Sequence, residues 1–341
     1  MLKLPTLPPH MQQASQRQRG QNWFIELLIF FLVYLVSGTV SGFLMIPGVV
    51  ITILSDSSIM DLILDTSASA EQYAQIAALI ETSVPVVLSM LFSNAGMILI
   101  AVLFCVILQR RKVASMGIIK EKAGIQYLAG IGIGFVMFTA VVFLNVLTGS
   151  MKLTGISPGF SFGLFLLFAL GFIIQGMAEE VLCRGYLLVS VARRYPVSIA
   201  ILLNSLVFSL LHLANPGVSL LAVINILLIG VFFSLYFLRT GNIWGVGAIH
   251  TMWNFAQGNI FGMEVSGLDL SCTLFESSVT PGSTFWSGGA FGAEGGFSCT
   301  IVCSVAILLL LLRKNKKEDV TVHENEGIPL RTENEGDMRS V

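Results

Sequence analysis

Apolar runs of about 17 to 25 residues, enough to cross a hydrocarbon core, recur along the chain with polar breaks between them. They occupy 23–45, 84–108, 125–147, 162–194, 196–212, 220–238, 243–262 and 297–312, the fourth being over-long. Read as helices, they predict an all-α, polytopic membrane protein of about eight spans. Two polar stretches interrupt the rhythm. Residues 55–83 form a polar segment with room for a short helix, and 263–296 is rich in Gly and Ser, so both are expected to be extracellular connections. The tail over 313–341 is charged and poor in aromatics, and is expected to be disordered.

Composition agrees with this pattern. The 341 residues are 55% hydrophobic and 11% charged, with a mean hydropathy of +0.83. A soluble domain carries about 25% charged residues, so that class is excluded. The net charge of -1 says little, because the charges are segregated by loop. With a cytoplasmic amino terminus, the segments on that side hold 18 of the 19 lysines and arginines, and only Lys152 falls outside. The positive-inside rule thus predicts eight spans with both termini in the cytoplasm. Residues 1–22 are polar, and no small-residue cleavage site follows the first apolar run, which is therefore expected to be an uncleaved anchor.

Five cysteines are too few for a disulfide framework. Cys105, Cys183 and Cys303 sit in apolar spans as small buried residues, whereas Cys272 and Cys299 flank the last outer loop, where an oxidising exterior would allow them to pair. Asn94, Asn145, Asn204 and Asn225 are expected to hydrogen-bond between helices. There is no phosphate-binding glycine loop, and no basic patch for nucleic acid.

Ionisable groups at membrane depth are costly and mark functional sites. The fourth run carries three: Glu179, Glu180 and Arg184. Glu180 and Arg184 are four apart, so they share a helical face and can neutralise each other, while Glu179 points about 100 degrees away. Two of the four histidines lie in later apolar runs, each in an i,i+4 pair: Phe208 with His212, and His250 with Asn254. At about 1.5 Å per residue from the cytoplasmic ends, Glu179 lies roughly 21 Å deep, His250 roughly 16 Å, Asn254 roughly 22 Å and His212 roughly 24 Å. The four can converge, provided that the fourth helix continues past Arg184 to Arg193. The site is then expected among helices four, five and seven.

Glu179 to Gly185 resembles the E-E-x-x-x-R motif of the CPBP intramembrane proteases, the family that includes CAAX prenyl endopeptidases of the Abi type. Phe208 to His212 is similar to its F-x-x-x-H motif, and His250 to Asn254 to its H-x-x-x-N motif. The resemblance covers a CPBP-like catalytic core over 120–262. It leaves outside the cytoplasmic segment 1–22, the two first helices and their loop over 23–119, the outer loop 263–296, the last helix 297–312 and the tail.

The resemblance implies proteolysis in or at the edge of the membrane. A carboxylate in a low-dielectric site is a better base than one in water, which suits Glu179 to take a proton from a water molecule. His212 would hold and help to activate that water, and His250 and Asn254 would donate to the oxyanion on the scissile carbonyl. Glu180 with Arg184 would be the structural pair that orients Glu179, and Phe208 would pack beneath His212. Zinc is the alternative, because Glu179, His212 and His250 offer the ligand count of an open catalytic site; no His-x-x-x-His pair preforms one, and a metal-free mechanism without cofactors is expected. The substrate is expected to be a membrane-associated or lipidated peptide or protein, and the protein a multi-pass component of a bacterial plasma membrane. A non-catalytic scaffold, a bacteriocin-immunity protein and a transporter are the competing classes, although no paired halves with broken helices point to transport.

Overall fold

The structure, a computed structural model, describes residues 4–17, 20–65 and 67–313. The expected disordered tail beyond Arg313 lies outside the described residues, as do Lys3 and Arg19. In chain order the helices are α1 (Pro9–Arg17), α2 (Trp23–Ser55), α3 (Ser57–Leu64), α4 (Ala70–Glu81), α5 (Val84–Leu103), α6 (Ala123–Leu147), α7 (Phe162–Glu180), α8 (Val189–Ala192), α9 (Val197–Leu210), α10 (Leu220–Thr240), α11 (Ile243–Phe255), α12 (Thr284–Ser287) and α13 (Phe297–Leu312). Two strands, β1 (Met151–Ile156) and β2 (Phe275–Val279), pair antiparallel with a bulge between Leu153 and Gly155.

The protein is a polytopic, mainly helical membrane protein. Large apolar side chains point outward, Leu35, Leu128 and Leu309 being 64%, 72% and 63% exposed. In water such a surface would aggregate, whereas in hydrocarbon it is satisfied. Helices fill all eight expected segments, and among the described residues five are both long and apolar enough to cross a membrane by length and composition. α9 and α13 are apolar but have 14 and 16 residues. The first helix is longer than expected, continuing through Pro47 to Ser55, because its apolar character does not stop at Met45.

Between α7 and α8 the chain is π-helical over Val181–Leu188, so α7 runs on without a break to Ala192, as the depth estimate requires. A π turn leaves carbonyls out of the α-helical ladder and often lies at a functional site. Here Arg111 supplies a donor from outside the helix: Nη2 bonds the Gly185 carbonyl at 3.0 Å and Nη1 bonds Ser190 Oγ at 3.1 Å.

α11 is the central helix, packed against α6 and α7. The α7–α11 approach is close because Gly176 lies under Thr251; a Cβ there would come within 2.6 Å of the Thr251 amide nitrogen. Thr251 Oγ1 also donates to the Phe172 carbonyl at 3.2 Å, fixing the register that sets Glu179 and Glu180 opposite His250.

The asparagines behave as helix-to-helix links in three cases. Asn145 accepts from Ser298, Asn204 donates to Ser234, and Asn225 accepts from Thr300. Asn94 is the exception, bonding the Met90 and Leu91 carbonyls of its own helix. The segments expected to be peripheral are not detached. α1 buries Met11 and Ala14, and His10 Nε2 donates to the Gly241 carbonyl at 2.8 Å. Residues 263–296 form a folded cap: β2 ties it to β1, Ser277 Oγ donates to the Gly262 carbonyl, and Phe291 is fully buried.

Candidate functional site

The cap, α5, α7, the end of α9, α10 and α11 enclose a cavity of about 120 Å³. Glu179, Phe208, His212, His250 and Asn254 all line it. The separate runs that carried these residues in the sequence therefore meet at one place. Glu180 and Arg184 do not line it; they are fully buried behind the wall. The last turn of α9 ends at Leu210, so His212 stands just beyond the helix instead of inside it, yet still within a turn of Phe208.

Hydrogen bonds fix the orientation of each group. His212 Nδ1 lies 2.8 Å from the Phe208 carbonyl, and since a carbonyl only accepts, Nδ1 carries a proton, which in the neutral ring leaves the lone pair on Nε2. The Phe208 ring packs against His212 with centroids 5.0 Å apart and against His250 at 6.1 Å. Glu179 Oε1 accepts from Gln175 Nε2 at 2.5 Å, and Gln175 Oε1 in turn accepts from Asn254 Nδ2 at 3.0 Å. Glu179 Oε2 lies 3.8 Å from His250 Nε2, and its side chain keeps 24% of its surface exposed, enough to meet a water molecule or substrate.

Behind this layer, Glu180 Oε1 accepts from Arg184 Nη1 at 2.8 Å and from His250 Nδ1 at 2.9 Å. The Arg184 guanidinium lies 4.4 Å from the Phe208 ring centroid and 5.2 Å from that of Phe233, and Nη2 donates to the Gly230 carbonyl at 3.2 Å. The charge is thus neutralised by a carboxylate and flanked by two aromatic faces. The Glu180–Arg184 pair forms as the spacing predicts, but its further contact is His250 and not Glu179. Glu179 is held by Gln175 instead.

Gln175 is the residue that sequence reasoning missed. Its signal was present: it stands four residues before Glu179 on one helix, on the same face. The contribution of the cap had no such signal. Val265, Ser266, Leu268, Leu270 and Glu294 line the cavity from a loop that was set apart as a connection. Met90 and Leu91 of α5 line it as well, so that helix is part of the enclosure.

Among the described residues no group of three or more His, Cys, Asp or Glu side chains is arranged to hold a metal ion. Glu179, His212 and His250 share the cavity wall, and Glu180 holds His250 at Nδ1, which leaves Nε2 toward the cavity. The cysteines expected at the last loop are apart and free. Cys272 Sγ contacts the Ser161 carbonyl at 3.3 Å, and Cys299 lies buried 3.8 Å from Cys303, because α13 carries it inward.

Residues 161–256 match the protein family described as type II CAAX prenyl endopeptidase Rce1-like. That stretch begins just before α7 and ends just after Asn254, so it contains all the motif residues. No match to a curated protein or to a solved structure emerges.

Proposed function

We propose that the chain, whose residues 161–256 match the Rce1-like family of type II CAAX prenyl endopeptidases, is an intramembrane protease of the CPBP type that cleaves a membrane-associated or lipidated polypeptide with a water molecule activated by Glu179. The observation that carries the reading is the pair of acceptors on one cavity, the Glu179 carboxylate and His212 Nε2, each held by its own hydrogen bond. A water molecule between them donates a hydrogen bond to each acceptor and turns a lone pair toward a bound carbonyl carbon. Glu179 takes the proton as the new C–O bond forms.

Asn254 uses one amide proton on Gln175 and keeps the other for the developing oxyanion. His250, held at Nδ1 by the Glu180 carboxylate, gives the oxyanion a second hydrogen bond from Nε2 when both ring nitrogens are protonated. The collapsing intermediate then receives a proton on its leaving nitrogen from Glu179. Peptidomics of cells carrying the parent protein or Glu179→Ala tests the reading: one precursor should accumulate uncut in the variant, and identical peptide profiles would refute proteolysis.

Gln175 enters as a positioning residue. Gln175→Leu is expected to lower kcat by about 10²-fold, the cost of a small misplacement of a reacting group, with KM little changed. Steady-state kinetics in proteoliposomes check it. A metal-free reaction is also part of the proposal, so a strong chelator is expected to leave activity unchanged. One stoichiometric zinc, lost together with activity in His212→Ala, would show the opposite.

The lysine and arginine distribution supports eight spans with both termini in the cytoplasm. In that topology 120–262 is the catalytic core, and 263–296 covers its outer side. Residence in a bacterial plasma membrane belongs to the same proposal.

A further inference from the structure

Glu294 is a buried carboxylate on the cavity wall for which the hydrolytic chemistry has no use. It is 5% exposed and belongs to the cap, outside the stretch that matches the protease family. Its two oxygens each accept a hydrogen bond from a neutral donor, Trp253 Nε1 at 2.9 Å and Ser266 Oγ at 2.6 Å. The ion pairs among the described residues join Glu180 with Arg184, Glu26 with Arg193, and His250 with Glu179 and Glu180, and none includes Glu294.

A buried carboxyl group with no cation beside it is a costly arrangement for a carboxylate, and the surrounding structure fixes this one in place. Asn225 Nδ2 donates to the Glu294 carbonyl at 2.7 Å and to the Gly296 carbonyl at 2.8 Å. Gly292, at φ 87°, passes so near the Glu264 carbonyl that any Cβ would collide with it, so the turn that delivers Glu294 admits only glycine there. The location is equally specific. Trp253 is the immediate neighbour of Asn254, so Glu294 stands one side chain away from the groups assigned to the oxyanion.

The cavity wall carries two carboxylates, Glu179 and Glu294; His250 on the same wall is held by Glu180 and faces Glu179, and Arg184 behind it is matched by Glu180. We propose that Glu294 is a recognition carboxylate: it receives a cationic side chain, lysine or arginine, of the polypeptide bound in the cavity, and selects substrates with such a residue near the scissile bond. This rests on the protease reading for its substrate class. The counter-charge missing from the protein is supplied by the ligand, and the pair forms in a water-poor site where a neutral competitor leaves the carboxylate unmatched.

The test uses the full chain in nanodiscs with Glu179→Gln, so that bound peptides stay intact. The probes are matched fluorescent apolar peptides that carry lysine, norleucine or glutamate at each position in turn, and binding is read by anisotropy. In one register the lysine peptide is expected to bind about tenfold or more tighter than its norleucine twin. Adding Glu294→Gln should remove that preference, and Glu294→Lys should shift it to the glutamate peptide. No lysine preference at any position in the protein with native Glu294, or a preference that survives Glu294→Gln, overturns the proposal. The first comparison needs no change at position 294, so poor folding of a variant cannot shield the idea. Charge-selective binding by a parent protein that hydrolyses nothing would refute the protease reading alone, whereas hydrolysis without charge selection would refute only the role of Glu294.

Discussion

Glu179→Gln is expected to reduce peptide hydrolysis by the purified, reconstituted protein by about 10²- to 10⁴-fold, the usual contribution of a positioned general base. The substitution keeps the volume of the side chain, and its amide oxygen can still accept from Gln175 Nε2, so the tether seen in the parent survives. What disappears is the ability to take a proton. Stability should barely move, because the side chain is partly exposed and makes no ion pair shorter than its 3.8 Å approach to His250. Melting temperature and kcat measured on the same preparation separate the two effects. Near-parental turnover in Glu179→Gln would remove Glu179 from the mechanism and leave the cavity without an identified base.

The features legible in the sequence were those encoded by spacing along one helix. Apolar run length located the helices, and i,i+4 spacing found the Glu180–Arg184 pair and set Phe208 beneath His212. Spacing reports a shared face but not which neighbour that face meets. The Glu180–His250 contact joins residues 70 apart, and whether Glu180 turned to Glu179 or to His250 depended on the packing of α7 against α11. The π-helical run after Glu180 has no pattern of its own in an apolar sequence. The cap was illegible for another reason: its path is set by glycine conformations such as that of Gly292, and periodicity carries no information about where a Gly- and Ser-rich loop folds back. Asn94 shows the same limit, since a polar side chain in a membrane helix can satisfy itself on its own backbone as well as across to a neighbour.

The largest effect on stability is expected from breaking the buried pair behind the cavity. Arg184→Leu leaves Glu180 and its charge in the interior, and Glu180→Leu leaves a guanidinium between Phe208 and Phe233, so each is expected to cost about 3–5 kcal/mol. The double replacement Glu180→Leu with Arg184→Met removes both charges and fills the space with apolar atoms, which is often neutral or stabilising. The Gly230 carbonyl is not orphaned by the loss of Arg184, because Ser234 Oγ also donates to it at 2.7 Å. Unfolding in mixed micelles should therefore show the double variant near the parent and both single variants far below it. Activity is expected to follow a different order. The double variant lacks the carboxylate that holds His250 Nδ1, so His250 loses its orientation, and hydrolysis should stay low in a well-folded protein. A double variant that is stable and turns over like the parent would show that the pair serves packing alone and that His250 does not depend on Glu180.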